Sequence, residues 1–213
     1  MKSALIGLTI VSGATVACPA WAAPPNKYSF QGSSAYAYLI TYDDTCTCVA
    51  ADDVCLYTNV FVSGFDDLSK QAPSPSQAYV EVSQYDYCTG TYPVYASGNT
   101  ALNSTQFVVG KKASNANLVA EISGFDYING TDVTFAVNLS WLATEAASRF
   151  HGVYHDHSPH YIRVSRSKGN FAPANAAGVV SLNGTDYVEN PNPAYSFAGI
   201  SAYGEGSIFH QKK

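Results

Sequence analysis

Charge is scarce in this chain. Only 13% of its 213 residues are Asp, Glu, Lys or Arg, about half the usual share for a soluble protein, and that balance favours strands over surface helices. Positive charge is scarcer still. The 11 Lys and Arg face 16 Asp and Glu, for a formal net charge of -5. A phosphate-backbone partner requires a basic face, so no nucleic acid partner is expected. Long apolar runs are missing as well. The one such run, residues 4–17, is shorter than the roughly 20 residues that a bilayer core demands, so no transmembrane segment is expected.

Motifs that name a reaction are also absent. There is no Gly-x-Ser-x-Gly elbow, and Ser165-Arg166-Ser167-Lys168 matches Ser-x-x-Lys only where it extends a strand, without its companion motifs. Glu81, Glu121, Glu145 and the aspartates are raw material for a two-carboxylate hydrolase, but no arrangement is visible.

What is present begins with a leader. Lys2, the apolar run and Ala20-Trp21-Ala22 have the three-part layout of a secretory signal peptide over residues 1–23, cleaved near Ala22 or Ala23. Loss of Lys2 leaves 10 basic side chains against 16 acidic ones, a net charge of -6. The expected location is secreted or periplasmic. The alternative is a lipid anchor on Cys18, against which Thr15 stands where such signals carry an aliphatic residue. Residues 24–213 then form a single domain with one core. Cys46, Cys48, Cys55 and Cys88 are an even set, which in an oxidising compartment reads as two disulfides.

Period-two alternation runs along most of residues 24–213. Tyr36, Tyr38, Ile40 and Tyr42 alternate with smaller residues; Val54, Leu56, Val60 and Val62 form a second strand; Val80 and Val82 alternate with Tyr79, Glu81 and Ser83. The clearest case is Val133, Phe135, Val137, Leu139 and Trp141, between Thr134, Asn138 and Ser140. Further strands are expected at 106–110, 118–123, 161–165, 178–182 and 207–210, with a short helical alternative at 143–150. Asn129-Gly130, Asn183-Gly184, the stretch 72–76 and Asn190-Pro191-Asn192-Pro193 supply the turns. The fold class predicted is all-β, a two-sheet antiparallel β-sandwich of about eight to ten strands, with a β-barrel as the alternative.

A repeat sharpens this. Residues 81–91 align without gaps on 121–131, sharing Ser83/Ser123, Asp86/Asp126, Tyr87/Tyr127, Gly90/Gly130 and Thr91/Thr131, with a shorter echo at 62–66. The unit is a strand running into a turn. Pairing the strands on either side of the proline-rich loop, with Ser63 near Tyr79, brings Cys55 close to Cys88 and would leave Cys46 with Cys48. That second bridge is geometrically tight, so the two other connectivities stay open.

Three side-chain groups are candidate sites. His151, His155, His157 and His160 crowd one decapeptide, and His-x-His places two imidazoles on one side of a strand, the spacing for copper or zinc, with Asp156 behind a ring. The plainer alternative is a wet loop turned by Pro159. Asp43-Asp44, Asp52-Asp53 and Asp66-Asp67 offer oxygens for calcium, without a recognised calcium-loop spacing. Tyr79, Tyr85 and Tyr87 lie on the non-valine side of their strand, near Tyr92, Tyr95 and Tyr127, and offer flat rings to a carbohydrate or protein ligand. A secreted or periplasmic non-catalytic binding protein is the reading these features favour; a metal-binding protein and a hydrolase are the alternatives.

Overall fold

The computed structural model describes residues 26–42, 44–50, 53–68, 75–188 and 191–211, and side chains within 31–210. The leader with Lys2 and Cys18 lies outside the described residues, as do Asp43, Asp52 and most of the proline-rich loop. Among the described residues eleven strands follow one another: β1 (Asn26–Tyr42), β2 (Leu56–Asp67), β3 (Ser76–Asp86), β4 (Thr91–Leu102), β5 (Phe107–Val109), β6 (Asn115–Asp126), β7 (Thr131–Ala143), β8 (Ser148–His157), β9 (Tyr161–Leu182), β10 (Thr185–Asp186) and β11 (Phe197–Gln211). One 3₁₀ turn, Lys111–Ala113, interrupts them.

Every pairing is antiparallel, and the pairings close on themselves. From β1 the order runs through β2, β3, β4, β6, β7, β9 and β11, and β11 pairs back onto β1. The all-β expectation therefore holds, and its sandwich-like and barrel-like forms meet in one sheet whose two ends join. Closure leaves fewer bare edges than an open sheet of the same strands.

Alternation decides what the ring encloses. Successive side chains of a strand point to opposite faces, so Val60 and Val62 of β2, Val80 and Val82 of β3, Leu118 and Ile122 of β6, and Phe135, Leu139 and Trp141 of β7 all turn inward and are fully buried. Trp141 also needs a partner for its indole N–H and donates to the Tyr36 carbonyl at 2.9 Å. The register anticipated for β2 and β3 is the one formed, with Ser63 opposite Tyr79. Glycines admit what the interior needs: a Cβ on Gly64 would sit 2.6 Å from the Phe107 ring, which fills that space from β5 and is 2% exposed.

Beyond the ring the sheet continues as an arm. Among the described residues β8 pairs only with β9, the first half of β9 pairs with β11, and Asn26 to Gln31 of β1 pair with β11 alone. Two expectations change here. The helical alternative at 143–150 is instead the end of β7, a break and the start of β8. β9 is one strand of 22 residues, not two short ones. Pro173 fits within it because its carbonyl accepts from Thr144 at the β7–β8 break, so the missing proline N–H faces a place where the ladder is interrupted.

Candidate functional site

Residues excluded from the core by alternation carry the aromatic surface. On the outward side of β1, Tyr38 lies between Phe61 of β2 at 4.5 Å and Phe197 of β11 at 4.7 Å, measured between ring centres, and Phe61 continues to Tyr79 at 5.8 Å. A second row starts at Tyr42, passes to Tyr57 and then to Tyr87 in the β3–β4 turn. From Tyr87 it proceeds through Tyr85, Tyr92, Tyr95 and Tyr127, each step between 5.0 and 6.4 Å, and ends at Phe125. The direct cross-strand pair Tyr42 with Tyr57 starts this row, since side chains opposite one another in a ladder touch, and Tyr87 joins Tyr57 to Tyr85.

The rings of the two groups differ in exposure. Burial pushes the Tyr79 phenol up to about 12, helped by the bond its hydroxyl donates to Glu81 at 2.7 Å. Burial likewise raises Tyr57, with Tyr87 and Tyr195 adding to the effect. Tyr87, Tyr92 and Tyr127 are instead 52%, 52% and 54% exposed. Of the three tyrosines read from the sequence, Tyr79 and Tyr85 are half-buried within the array and Tyr87 offers an open face. Tyr42, Tyr57 and Phe61 were not anticipated as part of it, because the order of strands around the ring brings them alongside.

The exposed end is fixed by the repeated turn. Asp86 and Asp126 end β3 and β6 and are buried. Asp86 accepts from the Thr89 hydroxyl at 2.7 Å and from the amides of Cys55 and Cys88 at 3.0 Å. Asp126 accepts from the Asn129 side chain at 2.8 Å and from the amides of Ile128 and Asn129. Bonds to the ionised form lower a carboxylate's affinity for its proton. Asp86 is accordingly held down first by Thr89, and Asp126 first by the Asn129 side chain. Gly90 and Gly130 close the two turns with φ of 70° and 67°, a backbone that glycine adopts without strain.

The cysteines bind a loop to the same end. Cys46 pairs with Cys55 and Cys48 with Cys88. Cys55 and Cys88 do lie side by side, as the strand register implied, with the Tyr87 amide donating to the Cys55 carbonyl. Each bridges to the loop instead of to the other, which relieves the tight Cys46 to Cys48 link. Among the described residues, Cys48, Cys55 and Cys88 are the one trio of potential metal ligands whose donor atoms lie within 4.8 Å of one another, and all three are in disulfides.

The histidine decapeptide is strand β8 followed by a turn at Ser158, Pro159 and His160, rather than a loop throughout. His155 and His157 share a face, with ring centres 6.3 Å apart and planes 13° from parallel. Asp156 points away from them and accepts from the Tyr161 hydroxyl at 2.8 Å. His151 lies farther along that face, opposite Lys168 of β9. The acidic pairs disperse: Asp53 accepts from the amides of Val49 and Ala50, and Asp66 from the Ser76 hydroxyl. Of the glutamates at equivalent places in the repeat, Glu81 and Glu121, the second is exposed and the first half-buried.

No protein-family model matches the chain, and no curated protein does. Two solved structures align over most of its length at low similarity. An acetoacetate decarboxylase-like enzyme from Sphingomonas wittichii RW1 is 10% identical, covering 87% of this chain and 92% of its own, with a TM-score of 0.25. The enduracididine biosynthesis enzyme MppR is 12% identical, covering 92% and 97%, with a TM-score of 0.23. Likenesses this slight carry no argument about fold or activity.

Proposed function

We propose that this is a secreted, non-catalytic binding protein that holds a carbohydrate against the exposed end of its tyrosine row. The observation that carries this reading is the continuous contact of rings from Tyr42 to Phe125, whose open end is presented by two turns of the same construction. A phenol joins an apolar face to a polar tip. A sugar likewise presents apolar C–H faces and hydroxyls, so both parts can be satisfied together. Two disulfides and an N-terminal stretch with leader layout support export. Among the described residues no helix is long and apolar enough to cross a membrane.

The test is a screen of soluble polysaccharides by affinity electrophoresis, followed by calorimetry on whichever is retarded. Each exposed ring is expected to contribute about 1 kcal/mol, so Y87A/Y92A/Y127A should weaken binding about a hundredfold with an unchanged circular dichroism spectrum. Equal affinity in the triple variant would sink the platform. A second reading, copper or zinc at His155 and His157, has their shared face in its favour; it requires metal binding by the wild type that H155A/H157A loses.

A further inference from the structure

The arm carries a basic cleft that the tyrosine reading does not use. Two hollows adjoin there. One, of about 410 Å³, is lined by His151, Arg166, Lys168, Gln31, Ser167 and Glu205 together with Gly204 and Gly206. The other, of about 660 Å³, shares Gln31, His151, Lys168 and Gly204 and adds Arg149, Phe150, Tyr203 and Lys112. Among the described residues Glu205 is the one carboxylate lining either hollow, and the Tyr203 phenol, raised first by burial, is raised further by nearby Asp67.

Register explains the convergence. Arg166 and Lys168 are two apart on β9 and therefore share a face. Their partners on β11 are Gly206 and Gly204, which have no side chains to cover them, and on β8 Lys168 faces His151. Lys112 arrives from the 3₁₀ turn with a φ of 59°. Arg166 in the first hollow, Arg149 and Lys112 in the second, and Lys168 in both thus gather four cations in a chain that is acidic overall, at -5. Ser165-Arg166-Ser167-Lys168, read from the sequence as strand rather than catalytic motif, supplies two of the four.

We propose that this cleft is a second binding site, for a compact ligand carrying two or more phosphate or sulfate groups. Guanidinium forks pair with such oxyanions through two parallel hydrogen bonds, and lysines add point charge. Cations distributed over two joined hollows fit at least two anionic groups. The acidic remainder of the chain repels an extended polyanion, which favours a compact one.

The experiment is calorimetry at low salt with tripolyphosphate, with inorganic phosphate as the single-group probe and phosphatidylglycerol vesicles as the membrane probe. Tripolyphosphate should bind more tightly than phosphate and weaken as salt rises. R166E/K168E should reduce its affinity at least about tenfold, because each lost charge-assisted bond is a strong one. K112E, on a different element, should also weaken binding while the circular dichroism spectrum stays β-rich. K111E makes the same charge change outside the lining and should bind nearly as wild type. Three results would overturn the proposal: no tripolyphosphate binding by the wild type, an equal loss in K111E and K112E, or binding to the vesicles alone.

Discussion

At the scale of single residues, Asp86 and Asp126 hold the two turns together, and both are acid-sensitive by construction. Their affinity for a proton is lowered in the fold by the bonds they accept, whereas an unfolded Asp titrates near about 3.9. A depressed carboxylate contributes stability that is fully present above the unfolded value. That contribution is lost as pH falls through the folded one. Urea unfolding followed from pH 7 downward should show stability declining below about pH 4. D86N/D126N should be weaker than wild type at pH 7 and lose less over the acid interval, since its amides do not titrate there. A parallel decline in both proteins would assign the acid sensitivity to other carboxylates.

Among the elements, the seam between β4 and β6 is the short link in the ring, formed by Ala96 with Asp126, Ser97 with Phe125 and Gly98 with Gly124. The two glycines face each other because a Cβ on Gly98 would meet the Ser123 carbonyl oxygen at 2.5 Å, and one on Gly124 would press on Ser97 and the Phe135 ring. A side chain there must push the strands apart. G98V and G124V should each cost about 1–3 kcal/mol, the range for overpacking. Hydrogen exchange should locate the damage, with protection lost at the Tyr127 amide, which donates to Tyr95 across this seam, and kept on β2 and β3. Uniform loss of protection would mean that the seam is no weaker than the rest.

For the whole molecule, the disulfides set the entropy of the unfolded chain. The Cys48–Cys88 bridge spans 40 residues and Cys46–Cys55 spans 9. Loop-closure entropy grows with the logarithm of that length, so C48S/C88S should cost about 4 kcal/mol and C46S/C55S about 3 kcal/mol. Denaturant midpoints of the two variants test the order. Thiol titration of the unreduced, unfolded wild type should find none of these four cysteines free. Longer bridges constrain the unfolded chain more, and the larger one also joins the loop to the turn that presents Tyr87.

Period two is a local property, so strand character, the inward faces of β2, β3, β6 and β7, and the kinship of the two aspartate turns were all legible before folding was considered. Strict alternation of Val133, Phe135, Val137, Leu139 and Trp141 leaves one way to bury them. The β2–β3 register was legible too, because setting Val60 and Val62 opposite Val82 and Val80 buries one face of both strands together. Tertiary structure decided everything that joins distant segments. The closing pairs β1–β11 and β7–β9 unite residues far apart in sequence, and no local pattern encodes which edge a strand will meet. The cysteine pairing depended on where the loop folds back, since Cys55 and Cys88 are neighbours in either connectivity. The tyrosine row and the basic cleft were hidden for the same reason: their members are spread over different elements, and only the folded chain brings Tyr57 against Tyr87 or lines one hollow with both Lys112 and Arg149.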